Sequence, residues 1–144
     1  MAEVDIDPEW EQLPGSDAGA YYRLEGDLLL AVPRTGYRQS KEDAERSLAA
    51  LDRIAEDAGR KQAVVVLVDR VVSQDSEARR VWSAHRANET RCAHALVCTT
   101  MLGRAIGSFF LGLSKEAIPT EMFGDLDTAR AWARKMAVER GGAL

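Results

Sequence analysis

Two apolar runs, residues 63–68 and 92–98, constrain the fold of this chain more than any other part of its sequence. The first run is entirely apolar and mostly β-branched, which predicts a strand buried on both faces. The second is interrupted only by a histidine and predicts a strand of the same kind. Because segments with helical periodicity separate and follow the two runs, they predict the centre of a mainly parallel sheet with helical crossovers.

Three shorter β-rich runs complete the predicted sheet. Residues 21–24 and 28–32 flank a glycine-containing turn, which predicts an antiparallel hairpin. Pro119 makes a strand at 119–123 start late or lie at an edge. Loops are expected around Thr35-Gly36 and at 69–75. The predicted fold class is α/β: an open, mixed sheet of about five strands in the order ββαβαβαβα, with helices mainly on one face.

Local signals predict where the helices begin and end. Ser40 is placed to cap a helix, and Asp43 adds negative charge to its first turn. Gly59 lies where a helix C-cap belongs, and Asp125 precedes the last helix as its cap. Trp82 falls on the apolar side of the helix after residue 75, which predicts that it anchors the core.

Composition and patterning predict one domain at residues 20–140 behind a flexible acidic leader at 1–19. The chain has 144 residues, 46% hydrophobic and 29% charged, which is typical of a single soluble domain. No basic start precedes an apolar run, and the apolar runs are too short to span a bilayer. We therefore expect a cytoplasmic protein in which Cys92 and Cys98 are free, buried thiols.

The sequence argues against several classes of function. The net charge is −4 and no basic face is apparent, so we expect no nucleic-acid partner. Cys92 and His94 face one side of a strand, but zinc would need ligands that the sequence does not suggest. No phosphate-binding glycine loop and no nucleophile–base–orienter pattern occurs. We therefore expect no cofactor, no metal site and no enzymatic activity.

The stretch of residues 101–123 is the most apolar of the chain, yet it contains glycines at 103, 107 and 112. Glycine inside a helix costs about 1 kcal/mol relative to alanine, so these positions must serve another purpose. Gly103 and Gly107 share one helical face, which allows another part of the chain to approach closely. The alternatives are tight packing on the sheet, a mobile flap over an apolar cavity, or a surface for a partner or membrane.

This glycine-interrupted helix supplies our candidate binding residues. Arg104 is its one internal charge, placed to bind an anionic group beside such a cavity or, alternatively, to cap a carbonyl or pair with Asp69. The candidates for ligand or partner binding are Arg104, Phe109, Phe110, Leu113 and Lys115. The sequence thus predicts a non-enzymatic binding or regulatory module. It would recognise a partner protein or a small apolar ligand through the helix at 100–118 and the adjacent loops.

The end of this helix and the residues after it resemble a known family. The matching positions are the run Phe109 to Lys115, Pro119-Thr120, Phe123, Asp125, Ala129 and Trp132. Over roughly residues 20–137 the chain resembles the SpoIIAA-like family, in a bacterial subgroup of unassigned function. The resemblance implies a STAS-like fold (sulfate transporter and anti-sigma antagonist), distantly similar to CRAL-TRIO lipid-transfer domains.

The resemblance also implies a candidate phosphorylation site. Anti-anti-sigma factors carry a phosphorylatable serine in an Asp-Ser-Ser-Gly motif at the start of the helix after a central strand. Asp75-Ser76 occupies that place here, although Glu77-Ala78 replaces Ser-Gly. A phosphate on Ser76 would meet free helix amides, with two arginines one turn on. Alternatively, Ser76 or Asp75 simply caps the helix.

Two alternative functions follow from the resemblance. One is an anti-sigma factor antagonist switched by phosphorylation of Ser76. The other is a lipid carrier of the CRAL-TRIO type with peripheral membrane contact. A homodimer through the edge strand at 119–123 or through the glycine-containing helix is a further alternative.

Overall fold

The computed structural model describes residues 5–16, 19–84, 89–114 and 118–144, without the side chains of 83–84 and 109–114. In this part of the chain the helices are α1 (Lys41–Ala58), α2 (Ser76–Ala84), α3 (Met101–Ser114) and α4 (Leu126–Arg140). The strands are β1 (Glu11–Ser16), β2 (Gly19–Glu25), β3 (Leu28–Pro33), β4 (Tyr37–Gln39), β5 (Gln62–Leu67), β6 (Val71–Gln74), β7 (Arg91–Val97) and β8 (Thr120–Phe123). A short 3-10 helix, Val68–Arg70, joins β5 to β6.

The main sheet is mixed, with strands in the order β1-β2-β3-β5-β7-β8. Strands β3, β5, β7 and β8 are parallel, and β1 and β2 add antiparallel pairs at one end. Gly26, at φ 45°, lies in the turn between β2 and β3. The α/β class, the hairpin, the central position of the two apolar runs and the edge position of the last strand are confirmed.

The structure adds three strands, so the predicted sheet of about five strands and its order are incomplete. Strand β1 lies within the segment assigned to a leader, and it pairs with β2 while Leu13 packs beside Tyr21. Strands β4 and β6 form a separate two-stranded parallel sheet from segments expected to be loops. This pairing joins residues more than 30 positions apart, so no local period in the sequence indicates it.

Helices cover both faces of the main sheet. Helices α1 and α2 pack on one face, and α3 meets the same face where Ile106 packs against the cluster of Val68, Leu96 and Cys98. Helix α4 lies on the opposite face through Ala129 and Ala133, which are fully buried. Three of these helices thus share one face, and the small alanine side chains let α4 lie close against β5 and β7.

The predicted helix ends are confirmed by their cap geometry. Ser40 and Asp43 form a reciprocal capping box, since each side chain accepts a hydrogen bond from the other's backbone N–H at 3.2 Å. Gly59 ends α1 in the left-handed conformation, at φ 67°. Asp125 accepts a hydrogen bond from Thr128 N at 2.7 Å and starts α4. These ends depend on neighbouring residues only, which is why the sequence predicts them.

Glu25 holds α4 to the hairpin. Its carboxylate accepts hydrogen bonds from Arg134 Nε and Arg130 Nε, each at 3.0 Å. The hydrogen bond from Arg134, followed by that from Arg130, lowers the pKa of Glu25 to about 2. The ionised carboxylate is therefore favoured by the folded state.

We expect Glu25→Gln to weaken the pH dependence of stability in acid. A carboxylate with a lowered pKa in the folded state stabilises fully above its unfolded pKa, and this contribution is lost as the pH falls towards the folded value. The variant lacks that contribution, so its free energy of unfolding should fall less than that of the wild type between about pH 5 and pH 2. Urea unfolding followed by circular dichroism measures the difference. Glu56→Gln, on the exposed side of α1, is the control, and parallel curves for wild type and Glu25→Gln would contradict the expectation.

Candidate functional site

An apolar cavity of about 80 Å³ lies between the main sheet and the helices on its α1 side. Side chains of β2, β3, β5 and β7 form its floor. Residues of α1, α2 and the small β4–β6 sheet form the other walls. Parallel strands, a long helix and the small sheet thus meet around a space that no single segment encloses.

The cavity exists because Ala31 is short. The strand register places Tyr21, Ala31, Val66 and Leu96 in one row across the sheet, and all four line the cavity. Interiors are close-packed, so a methyl group in a row of larger side chains leaves space that its neighbours must fill. The helices above do not fill it, since the α1 residue Ser47 on that wall is also small.

One wall of the cavity carries a buried amide, Gln39. Its Oε1 accepts hydrogen bonds from Trp82 Nε1, at 2.9 Å, and from Gln74 Nε2. An indole N–H only donates, so the amide oxygen must face Trp82 and the amide nitrogen faces the other way. Trp82 packs against the core, as predicted, and it is also a wall of the cavity.

A second polar wall residue, His94, is held by a buried arginine. Arg91 Nη1 lies 3.1 Å from His94 Nε2, and its guanidinium carbon is 5.6 Å from the centre of the Trp82 ring. Because arginine only donates, Nε2 accepts and the imidazole proton sits on Nδ1. Burial, and then the charge of Arg91, lowers the pKa of His94 well below its usual value, so the ring is neutral.

Two tyrosines complete the polar groups near the cavity. Burial raises the pKa of Tyr21, whose hydroxyl donates a long hydrogen bond of 3.5 Å to the Ser47 carbonyl. Burial, and then the negative charge of Asp43, raises the pKa of Tyr37. The Tyr37 hydroxyl makes no hydrogen bond of normal geometry within the described residues, although it interacts with that carboxylate. Both phenols therefore stay protonated at neutral pH.

Asp69, which follows β5, holds the start of helix α3 beside the cavity. The Asp69 carboxylate accepts hydrogen bonds from the backbone N–H of Thr99, at 2.8 Å, and of Thr100, at 3.1 Å, and from both hydroxyls. Burial raises the pKa of Asp69, but the hydrogen bonds from Thr99 and Thr100 outweigh it and lower the net pKa. The negative charge also faces the positive end of the helix dipole.

The glycines of α3 allow this close seating. A Cβ atom on Gly103 would overlap Asp69 Oδ1. A Cβ atom on Gly107 would lie 2.6 Å from Cys98 Sγ and 2.9 Å from Met122 Sδ. Of the alternatives that the sequence left open for these two glycines, the structure confirms tight packing.

The predicted binding residues of α3 do not line this cavity in the described part of the chain. Arg104 is exposed, and Asp69 is bound by threonines rather than by Arg104. Helix α3 reaches the cavity walls through Ile106, which packs against Tyr37 and Leu96.

The remaining candidates of α3 are not tested by the structure. The side chains of Phe109, Phe110 and Leu113 lie outside the described residues, as does all of Lys115. At the start of the helix, Met101 and Leu102 are 91% and 51% exposed. A partner surface on α3 therefore stays a prediction.

Ser76 is exposed at the first residue of α2. The Asp75 carbonyl accepts the hydrogen bond from Arg79 N, at 3.1 Å, that opens this helix. An exposed hydroxyl at a helix start suits a phosphorylation site and a capping residue equally. Phosphorylation of Ser76 therefore stays a prediction.

The two cysteines are free and buried, as predicted. Burial raises the pKa of Cys92 to about 11 and that of Cys98 to about 12, so both remain unreactive thiols. Across residues 5–16, 19–84, 89–114 and 118–144, no group of three or more His, Cys, Asp or Glu side chains is arranged to hold a metal ion. Within those same ranges, each helix is too short or too polar to cross a membrane.

Ala31 and Gln39, which line the cavity, and Arg91, which lies behind His94, were not among the predicted site residues. Each left a weak signal: an alanine among larger strand residues, a glutamine before a helix, and an arginine at the start of an apolar run. None of these signals is specific, because Ala31 and Gln39 depend on partners far away in the sequence. The contacts of Arg91 include the Trp82 ring as well as its strand neighbour His94.

Comparison with protein families places the chain in a family of unknown function. The model of a domain family of unknown function, DUF7793, matches residues 22–137, from within β2 to within α4. No curated protein matches the chain, and no solved structure does. The resemblance to the SpoIIAA-like family therefore stays a prediction.

Proposed function

The chain belongs to the DUF7793 family, whose function is unknown, and we propose that it is a non-enzymatic module that binds a small apolar ligand in the cavity beside Ala31. The observation that carries this proposal is the cavity itself, which is apolar on most sides and has a few buried polar groups on one wall. Small-molecule sites in proteins have this character.

The size and lining of the cavity favour a small ligand. An apolar cavity of about 150 Å³ in another protein stays dry and binds benzene or xenon. The cavity here is smaller, about 80 Å³, and Val64, Val66 and Leu96 offer methyl groups on its floor. Transfer of an apolar ligand from water onto such surfaces is favourable at roughly 25 cal/mol per Å² of buried area.

The state of His94 supports binding rather than catalysis. A general base needs a free lone pair and a pKa near the working pH. The Nε2 lone pair of His94 is directed at Arg91, and burial lowers the pKa of the ring. The histidine is thus suited to donate a hydrogen bond and unsuited to accept a proton.

We expect Ala31→Leu to abolish ligand binding by filling the cavity. Leucine adds three carbon atoms at the centre of the floor, where the neighbours of Ala31 leave space for them. Xenon is the probe, because it fills apolar cavities without needing hydrogen bonds. Methyl NMR spectra under xenon pressure should shift for Val64, Val66 and Leu96 in the wild type and stay unchanged in the variant.

Ala49→Leu is the matched control, because it makes the same substitution on the exposed side of α1. It should keep the xenon-induced shifts of the wild type. Unchanged spectra of the wild-type protein under xenon would refute the proposed function. If folded Ala31→Leu shows the same xenon-induced methyl shifts as the wild type, xenon binds elsewhere and the proposed function is refuted as well.

A further inference from the structure

The polar wall of the cavity offers hydrogen-bond donors without internal partners. Gln39 is 7% exposed, and its oxygen already accepts from Trp82 and Gln74. Its amide nitrogen donates to no residue in the described part of the chain. This nitrogen keeps some accessible surface, so an acceptor in the cavity can reach it.

His94 offers a second donor on the same cavity. Its Nε2 is directed at Arg91, which leaves the proton on Nδ1. Nδ1 donates to none of the residues that the structure describes. The buried positive charge of Arg91 behind the ring polarises the imidazole and strengthens this donor.

The lining of the cavity favours a ligand whose hydrogen-bond acceptor is uncharged. Within the described residues, no Lys, Arg, Asp or Glu lines the cavity, and Arg91 lies behind His94 instead. A carboxylate would lose its hydration there without a cation in contact, which costs several kcal/mol. A carbonyl oxygen loses less hydration and has two lone pairs for two donors.

We propose that the cavity selects small apolar compounds with one uncharged carbonyl oxygen, which accepts hydrogen bonds from Gln39 Nε2 and His94 Nδ1. This inference rests on the proposed function, since it names the chemical class of the ligand for the same cavity. The apolar part of the ligand lies against the floor around Ala31 and Val66.

Three probes with the same number of non-hydrogen atoms test the inference: cyclopentanone, methylcyclopentane and isobutyrate. They present a carbonyl, no acceptor and a carboxylate, respectively. Titrations followed by ¹H–¹⁵N NMR, including the Gln39 side-chain amide and the His94 ring nitrogens, give each dissociation constant. We expect cyclopentanone to bind about fivefold more tightly than methylcyclopentane, although the hydrocarbon is the more hydrophobic, and isobutyrate to bind the least.

Variants then assign the preference to the two donors. His94→Phe and Gln39→Met should each reduce the preference for the ketone. Ala49→Leu, on the exposed side of α1 and away from the cavity, should keep it. Equal or tighter binding of methylcyclopentane by the wild type would overturn the inference and leave the proposed function intact. Tighter binding of isobutyrate would overturn the choice of an uncharged ligand. If the wild-type protein binds none of the three probes and no xenon, the proposed function itself is refuted.

Discussion

Gly103→Ala should destabilise the protein by about 3 kcal/mol, although alanine is the better helix former by about 1 kcal/mol. The added methyl group would overlap Asp69 Oδ1, which is held in place by the backbone N–H groups of Thr99 and Thr100. The carboxylate must move, and its donors at the start of α3 then lose their acceptor. Urea unfolding followed by circular dichroism measures the loss.

A double-mutant cycle assigns this effect to Asp69. Asp69→Ala alone should be destabilising, because it removes the acceptor for both threonines. In that background Gly103→Ala should cost less than about 1 kcal/mol, since the overlap with Asp69 is gone and only the short contact with Thr100 Oγ1, at 2.9 Å, remains. The coupling free energy between the two positions should then be about 2 kcal/mol.

Gly124→Ala is the control for this cycle, because a Cβ atom at Gly124 meets no atom within 4 Å. It should change the free energy of unfolding by less than about 0.5 kcal/mol. A Gly103→Ala variant that keeps wild-type stability would show that Asp69 does not fix the start of α3. Additive effects of Gly103→Ala and Asp69→Ala on the free energy of unfolding would lead to the same conclusion.

Arg91→Met should also cost about 3 kcal/mol, because it removes the cation from a buried polar cluster. Arg91 is 1% exposed, and the substitution leaves His94 Nε2 without its donor. It also removes the positive charge that Asp52 attracts and that lies over the Trp82 ring. Burial lowers the pKa of Arg91 to about 10, so the guanidinium is still charged at neutral pH.

The readouts for Arg91→Met are the free energy of unfolding and the ¹⁵N signals of the His94 ring. We expect the preference for protonation at Nδ1 to weaken once Nε2 has no donor. Arg53→Met makes the same substitution at an exposed position of α1 and should cost less than about 0.5 kcal/mol. If Arg91→Met is as stable as the wild type, the free-energy cost of burying the guanidinium equals the stabilisation that its contacts provide.

Sequence reasoning was most successful where structure depends on neighbours along the chain. Ser40 with Asp43, Gly59 and Asp125 mark helix ends through contacts a few residues apart. The glycines of α3 gave a more indirect signal. Their poor helix propensity showed that something must approach closely, but only the fold identified it as Asp69 at one glycine and Cys98 with Met122 at the other.

The cavity was not predictable, because it depends on side chains from several strands in one register. Ala31 leaves space only because Tyr21 and Val66 flank it and α1 places Ser47 on the wall above it. Likewise, the sequence shows Gln39 only as a polar residue before a helix. The fold shows that its side-chain oxygen accepts hydrogen bonds from Trp82 and Gln74. The glycine-interrupted helix therefore predicted binding residues on α3, whereas the cavity lies on the sheet beside it.

Local patterns in the chain are enough to predict the α/β class, the parallel centre of the sheet, the hairpin and the helix caps, because hydrophobic period and capping act over a few neighbouring residues. Contacts formed in three dimensions were needed to show that residues 11–16 extend the sheet, that β4 pairs with β6, and that the Arg91 guanidinium lies over the Trp82 ring. These features arise between separate segments of the chain. Their free energy comes from register and packing volume, which no local pattern encodes.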